Sequence, residues 1–292
     1  MKVQVTVFTP AYNRGHLLTR LYESLCRQTV GDFEWVVVDD GSSDNTGYLM
    51  GKFQAEKNLD IRYFYQSNGG KHRAINLGVQ QARGELFFIV DNDDLLCDNA
   101  IERVVCRYNE IKGDDSFAGV CGLKVFSDGT KVGGGCDFGV IDCSSIEFRN
   151  RYNIKGDMAE VFRTDVLKKF PFPEFENEKF CPEAIVWNRI AQQYRFRYFY
   201  EKIYICEYLP DGLTAHIINI RMLSPQASML CYKEMSELQI PLNKKIRSAI
   251  NYWRFSLCSN LPFQEKVQGM SKWMWLFGAG VLLHLKDKRQ NG

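Results

Sequence analysis

Along the first 125 residues, apolar runs and helical stripes alternate with short polar breaks. Val3–Phe8 alternates as a strand does. Leu17, Leu18, Leu21 and Leu25 share one helical face and predict a helix. Phe33–Val38 predicts a strand that stops at Asp39-Asp40-Gly41, and Asp44 is placed to cap a helix running to about Ala55. Ile61–Tyr65 predicts a third strand. An Asn68-Gly69-Gly70 turn follows, then a helix through Ala74, Ile75, Leu77 and Ala82. Leu86–Val90 is an apolar strand. Asp98 is placed to cap a helix whose inner face carries Ile101, Val104, Val105, Tyr108 and Ile111, and Phe117–Phe126 is another strand.

Strands alternating with helices predict an α/β fold with a mostly parallel central sheet and helices on both faces. Ligands of such sheets bind beyond the carboxyl ends of the strands. Four segments meet that rule here: Thr9–Arg14, Asp39–Ser43, Gln66–Lys71 and Asp91–Asp94, each polar or glycine-rich and each following a strand. Ser127–Cys143 reads as a glycine-rich loop or hairpin, and Cys143–Tyr208 as mixed structure. From about His216 the chain reads as helical, with Trp253, Trp273 and Trp275 among aliphatics. The expected organisation is one α/β domain over 1–215, in two halves over about 1–125 and about 126–215. A C-terminal helical extension covers 216–292.

Composition bounds this picture without changing it. The 292 residues are 45% hydrophobic and 25% charged, enough for one large domain with an appendage or for two small ones. The net charge of +2 gives no reason to expect a nucleic-acid partner. The charge is uneven: Leu242–Gly292 holds nine Lys/Arg against two Asp/Glu, a net of +7, which leaves −5 on the rest. Ten cysteines are scattered singly with no C-x-x-C pair, which argues for reduced cysteines of a cytoplasmic protein over a zinc or redox site. Met1-Lys2 runs straight into a strand, so no signal peptide is expected. No apolar stretch reaches the roughly 18 residues of a membrane span.

The chemistry concentrates at the strand ends. Asp91-Asn92-Asp93-Asp94 closes an apolar strand, where three carboxylates are costly unless something positive meets them. Asp91 and Asp93 point the same way on extended chain. Carboxylate oxygens with phosphate and water suit magnesium or manganese. Carboxylates at Asp39 and Asp40 have two readings, a turn with a helix cap, or acceptors for a base N–H or ribose hydroxyls. Lys71, His72 and Arg73 open a helix after two glycines, either as a solvated basic end or as a phosphate site. Neither G-x-G-x-x-G nor G-x-x-x-x-G-K-[ST] occurs.

Taken in order, these residues form a resemblance. Phe8-Thr9-Pro10-Ala11-Tyr12-Asn13-Arg14, Ser24-Leu25, Gln28-Thr29 and Phe33 to Asp44 are similar to the start of family 2 glycosyltransferases of the GT-A fold, as found in bacterial polysaccharide synthesis. Asn68-Gly69-Gly70-Lys71 with Ala74-Ile75-Asn76 and Gly78, Ala82-Arg83-Gly84-Glu85 and Asp91-Asn92-Asp93-Asp94 continue it over about the first 100 residues. A weaker likeness covers Gly156-Asp157, Pro182-Glu183 with Trp187, Arg189-Ile190-Ala191, and Glu207-Tyr208 with Asp211-Gly212-Leu213-Thr214.

The resemblance implies that 1–215 is a GT-A catalytic domain, with a nucleotide-binding half over about 1–125 and an acceptor half over about 126–215, and it implies roles. Thr9, Tyr12 and Arg14 would line the nucleotide pocket, with Asp40 on the base and Asp39 beside it. Lys71, Asn76, Asp91 and Asn92 would complete the donor site. Asp91 and Asp93 would form the D-x-D pair, Asp93 being the metal ligand. Family members carry a late carboxylate, often in an acidic pair, as general base; Pro182-Glu183 keeps only Glu183. The implied reaction is metal-assisted, inverting transfer of a hexosyl or N-acetylhexosaminyl group. It would run from a nucleotide-diphospho-sugar, UDP-linked on family grounds, to a saccharide or lipid-linked saccharide acceptor. Cell-surface polysaccharide or glycolipid synthesis would be the setting.

Two features lie outside that core. Trp273–Leu285 is apolar and basic-flanked but too short to span. It reads either as packing on the catalytic domain or in a homodimer seam, or as peripheral attachment to the inner face of the cell membrane. His216 has a metal-ligand reading beside an ordinary one. Two rival functions stand beside sugar transfer. A nucleotidyltransferase would want a glycine-rich, arginine-bearing loop after the first strand, and Thr9-Pro10-Ala11-Tyr12 is not that. A non-catalytic sugar-binding scaffold is opposed by intact Asp91, Asp93 and Glu183.

Overall fold

The computed structural model describes residues 3–135, 137–207 and 216–291, the side chains of 290 and 291 excepted. The chain divides into two compact units: Met1–Pro171 with Arg189–Glu207, and Phe172–Asn188 with Tyr208–Gly292. The boundary expected at 215/216 falls at the end of the undescribed stretch 208–215, and the motif Asp211-Gly212-Leu213-Thr214 lies outside the described residues.

The first unit holds the sheet. Its opening elements are β1 (Val5–Ala11), α1 (Gly15–Cys26), β2 (Phe33–Asp39), α2 (Thr46–Glu56), β3 (Ile61–Tyr65), α3 (Lys71–Gln81) and β4 (Leu86–Ile89). Next come β5 (Leu95–Leu96), α4 (Ala100–Asn109), β6 (Phe117–Val125), β7 (Val140–Cys143), α5 (Ser145–Asn150), β8 (Met158–Arg163) and α6 (Thr164–Lys169). After α7 (Ala184–Ala191), which straddles the two units, β9 (Arg195–Ile205) completes the sheet.

Among the described residues the strand order is β3-β2-β1-β4-β8-β6-β9-β5, with β7 on β9. The half read from the sequence, β3-β2-β1-β4, is parallel throughout. Beyond it antiparallel strands join the sheet. The pairs β4–β8, β8–β6, β9–β5 and β9–β7 are antiparallel, and β6–β9 is parallel. Apolar periodicity finds strands but carries no information on their direction. One consequence positions the site: β1, β2, β3, β4, β6 and β9 all run the same way, so their carboxyl ends share one edge.

Each face of β1 is covered. Val5 and Val7 pack in one core cluster with Leu18, Leu21 and Leu25 of α1, Met50 and Phe53 of α2, and Ile101 and Val104 of α4. Each buried Leu, Val or Phe contributes about 1.5–3 kcal/mol. On the other face Phe8 meets α3, and a Cβ on Gly78 would stand 2.1 Å from the Phe8 ring, so the helix lies directly on that ring. Asp44 ties two helices: one oxygen accepts from the Thr46 amide at 3.0 Å, the other from the Gly15 amide at 2.9 Å. Asp98 does not cap α4. Its carboxylate pairs with Arg27, and the Ile101 amide donates to Gln28 Oε1 at 3.1 Å instead.

The second unit is helical, as the sequence implies: α8 (Ile217–Leu223), α9 (Pro225–Glu237), α10 (Leu242–Ser256), α11 (Phe263–Met270), a 3-10 segment (Ser271–Leu276) and α12 (Phe277–Asn291). Its core joins Met229, Ala249, Tyr252, Trp253, Met270 and Leu276. The Trp253 indole donates to the Trp273 carbonyl at 3.0 Å. Among the described residues no helix is long and apolar enough to cross a membrane.

Candidate active site

Four loops meet at the carboxyl edge of β1–β4, and the chain ties them together in pairs. The Asn13 amide donates to Ser42 Oγ, and the Ser43 amide donates to Asn13 Oδ1 at 2.8 Å, joining the loop after β1 to the loop after β2. Asn13 holds φ at 51°, a conformation asparagine tolerates. Gly41, at φ 82°, lets this loop pass against Asn68, where a Cβ would lie 2.7 Å from the Asn68 amide nitrogen.

Asp39 and Asp40 end β2 almost wholly buried. Asp39 accepts from the Ser42 amide at 2.7 Å and from the Tyr63 hydroxyl at 2.6 Å. Asp40 accepts from Gln66 Nε2 at 2.7 Å, the Gly69 amide at 2.8 Å and the Gly70 amide at 2.7 Å. Asn68 Nδ2 adds a longer bond to it at 3.4 Å. The carboxylate therefore fixes the glycine turn that opens α3, a role its sequence position did not reveal. Thr9 is buried, and its hydroxyl accepts from the Trp35 indole at 3.0 Å. Tyr12 is exposed, Arg14 is half-buried just before α1, and Asn76 is half-buried on α3.

The acidic turn after β4 is held from both sides. Lys71, the first residue of α3, places its ammonium 2.7 Å from one Asp91 oxygen and 3.0 Å from the other. Asn92 Nδ2 donates to the Pro10 carbonyl at 3.3 Å. The Tyr204 hydroxyl accepts from the Asp91 amide at 3.1 Å and donates to Asp94 at 2.6 Å. The Glu207 amide donates to the other Asp94 oxygen at 3.1 Å. Asp94 thus anchors the turn to β9, and Tyr204, which no motif singled out, is the residue that receives it.

Electrostatics separate the three carboxyls. Burial alone would raise Asp91, but the ammonium groups of Lys71 and Lys124 outweigh it and hold Asp91 below the usual carboxylate range. Asp93 is raised by burial and by the negative charge of Asp91, against the opposing charges of Lys71 and Arg14. Burial and Asp91 push Asp94 up to about 7. Lys124, at the end of β6, lies 4.1 Å from the Tyr204 ring centroid and supplies the second cation of the cluster.

This set fits a hard divalent cation. Asp91 and Asp93 offer oxygen donors whose mutual repulsion a cation relieves, and magnesium or manganese takes one or two carboxylates and fills its shell with phosphate and water. Among the described residues no group of three or more His, Cys, Asp or Glu is arranged to hold a metal. His216 lies in the second unit, exposed at the start of α8.

Glu183 also belongs to the second unit. It is half-buried just before α7, where its carbonyl accepts from the Trp187 amide at 3.0 Å. Of the other late carboxylates, Asp157 is exposed ahead of β8. Glu178 is buried and accepts from the Gln226 and Ala227 amides at 2.7 and 2.9 Å, so it caps α9.

Comparison with known proteins decides what this edge belongs to. Residues 6–125, which span β1 to β6, match Glycosyl transferase family 2. Over that span the chain is similar to family 2 glycosyltransferases. Over 115 residues it is 36% identical to glycosyltransferase GlyG of Streptococcus pneumoniae serotype 4, which covers 39% of this chain and 38% of GlyG. Over 114 residues it is 31% identical to the poly(ribitol-phosphate) β-N-acetylglucosaminyltransferase TarS of Staphylococcus aureus, covering 38% of this chain and 20% of TarS. The chain thus spans well under half the length of these curated relatives.

Likeness of fold extends further. TarS residues 1–349 in complex with UDP-GlcNAc superpose with a TM-score of 0.62 at 19% identity, covering 95% of this chain and 80% of that one. Mannosyltransferase PcManGT of Pyrobaculum calidifontis, in complex with GDP-Man and Mn2+, gives a TM-score of 0.57 at 17% identity, covering 98% and 88%. The chain has the GT-A fold of these transferases; the four loops at the carboxyl edge lie within the matched span, and Tyr204 and Glu207, which hold the acidic turn, lie beyond it.

Proposed function

We propose that the protein transfers a hexosyl or N-acetylhexosaminyl group from a nucleotide-diphospho-sugar to an acceptor hydroxyl, with inversion. The observation that carries this reading is the juxtaposition of Asp91, Asp93 and Lys71 at the carboxyl edge of a parallel sheet. The complexes of TarS with UDP and UDP-GlcNAc favour a UDP-sugar as donor, and the manganese in PcManGT favours a divalent metal.

In this reading Asp93, with Asp91, holds magnesium or manganese, which supplies charge neutralisation for the departing diphosphate. Lys71, at the start of α3, meets the same phosphates. Arg14, Tyr12, Asn76 and Asn92 line the donor, and Asp39 and Asp40 shape the nucleoside end. The acceptor oxygen attacks the anomeric carbon while the bond to the diphosphate breaks. Glu183 takes the hydroxyl proton. One displacement reverses the anomeric configuration. The acceptor is a saccharide or lipid-linked saccharide of cell-surface polysaccharide or glycolipid synthesis, and the protein works in the cytoplasm at the inner face of the membrane.

The test is a thermal-shift series with UDP, GDP and their sugars, with and without manganese, on the wild type and Asp93→Ala. A binder raises the melting temperature by mass action. A manganese-dependent rise with one nucleotide family, absent in Asp93→Ala, is expected. An equal rise in both proteins removes Asp93 from the metal site, and no rise with any nucleotide overturns the reading.

A further inference from the structure

Helix α12 presents its side chains in a sense opposite to that of an ordinary surface helix. The side turned inward carries Gly280, His284 and Asp287, all buried. Asp287 there receives both arms of the Arg254 guanidinium, and His284 Nδ1 lies 3.7 Å from Cys258 Sγ. The side turned outward carries Gly278, Leu282, Leu285, Lys286 and Arg289, a spacing that keeps them on one stripe. Leu282 is 70% exposed and Leu285 49%. A soluble helix gains from the reverse arrangement, because burying leucine is favourable and burying an ion pair costs desolvation.

The stripe continues into the segment before it. Trp275 is 69% exposed and stands 6.4 Å, ring to ring, from Trp273. Phe263 of α11 is 53% exposed and meets the Phe277 ring edge-on. Around these apolar groups the exposed charges are Lys272, Lys286, Lys288 and Arg289, against one exposed acid, Glu265 of α11. Between Leu242 and Gly292 the acids are Glu265 and Asp287, and Asp287 is buried against Arg254. Large exposed apolar side chains with a polar rim, here mostly basic, mark an interaction surface.

We propose that the outer stripe of α12, with Trp275 and Phe263, lies in the headgroup region of an anionic lipid membrane. Tryptophan and leucine enter the acyl boundary, and Lys272, Lys286, Lys288 and Arg289 meet lipid phosphates. The charge of the rim selects this occupant: a second copy of the chain would bring the same four cations against one another. The inference deepens the membrane location proposed above and is independent of donor binding.

The test is flotation of the full chain with vesicles of phosphatidylcholine, with and without phosphatidylglycerol, at low and high salt. Three proteins are compared: wild type, W275S/L282S/L285S and K286E/K288E/R289E. All six positions are exposed, so melting temperatures and manganese–nucleotide shifts should match wild type and certify folding. Wild type is expected to float with the anionic vesicles, less so at high salt, while both variants lose at least about ten-fold in bound fraction. Wild type that stays unbound to anionic vesicles overturns the proposal, as do variants that bind equally. A wild-type dimer that the apolar variant converts to monomer, with no vesicle binding by either, assigns the stripe to a second copy instead. Loss of flotation with intact nucleotide shifts leaves the sugar-transfer reading standing.

Discussion

Lys71 and Asp91 form an ion pair, 2.7 Å from Nζ to carboxylate oxygen, at the carboxyl edge of the sheet. The lysine therefore occupies one of the two carboxylates expected to meet a metal. Replacing it with a neutral side chain of similar length should act in opposite directions on two ligands. In Lys71→Met, manganese alone should bind more tightly, because Asp91 loses its ion-pair partner and keeps only the charge of Lys124. A nucleotide diphosphate should bind about ten-fold or more weakly, having lost a charge-assisted contact. Calorimetric titration of each ligand separates the two effects, and a change of the same sign in both would show that the pair is only structural.

Asp40 is committed to the glycine turn before α3, so its removal should reach stability as well as binding. Buried bonds to a charged group contribute about 1.5–3 kcal/mol each, and three strong donors face this carboxylate. Asp40→Ala should lower the melting temperature clearly and weaken nucleotide binding together. Normal melting with a loss of affinity would mean that the turn holds itself and that Asp40 serves the nucleoside alone.

The difference between those two outcomes shows where the sequence was informative. The edge that carries the site was legible because β1 to β4 are apolar runs of plain strand length, each ended by polar residues. The partners of those polar residues were not. Asp40 turning to Gly69 and Gly70, Thr9 to Trp35, and Asp94 to Tyr204 are contacts across 26 to 110 positions, set by strand order. The antiparallel strands β7 and β8 were hidden for a related reason: their short, mixed segments have no period of their own and form only where β9 and β4 receive them. Asp98 failed as a cap because Gln28, far away in sequence, reaches the same amide.

Glu183 keeps its place as the expected base on the strength of its motif, while Glu178 is spent on the start of α9. Glu183→Gln should leave manganese–nucleotide affinity near wild type and reduce turnover by at least about a hundred-fold, within the 10²–10⁴ a general base supplies. The effect should fall on kcat and not on the donor KM. Near-normal transfer by the variant would move the base to Asp157.

Glu34 gives a prediction about acid stability. It is wholly buried and accepts from the Thr6 hydroxyl at 2.6 Å and from the Arg83 amide and guanidinium at 2.7 Å. Burial alone would raise its carboxyl, but those bonds outweigh it and leave it below the usual range. A lowered folded-state value means that its stabilisation is complete above the unfolded value, about 4.3, and is lost as pH falls through the folded one. Glu34→Gln should cost about 3 kcal/mol at pH 7. Melting curves of the two proteins should converge as pH falls below the unfolded value, about 4.3; a gap that stays constant would show that shape, not charge, holds the position.

The missing side chain at Gly78 has a consequence for the mouth of the site. Lys71 stands two helical turns from Gly78, about 10 Å along α3, so its reach to Asp91 is measured from an apolar contact with Phe8. The helix behaves as a spacer rod seated on an aromatic floor. Any thickening of that seat would lift the whole rod and carry the ammonium off its carboxylate, so the interior packing of the sheet sets the gauge of the phosphate end.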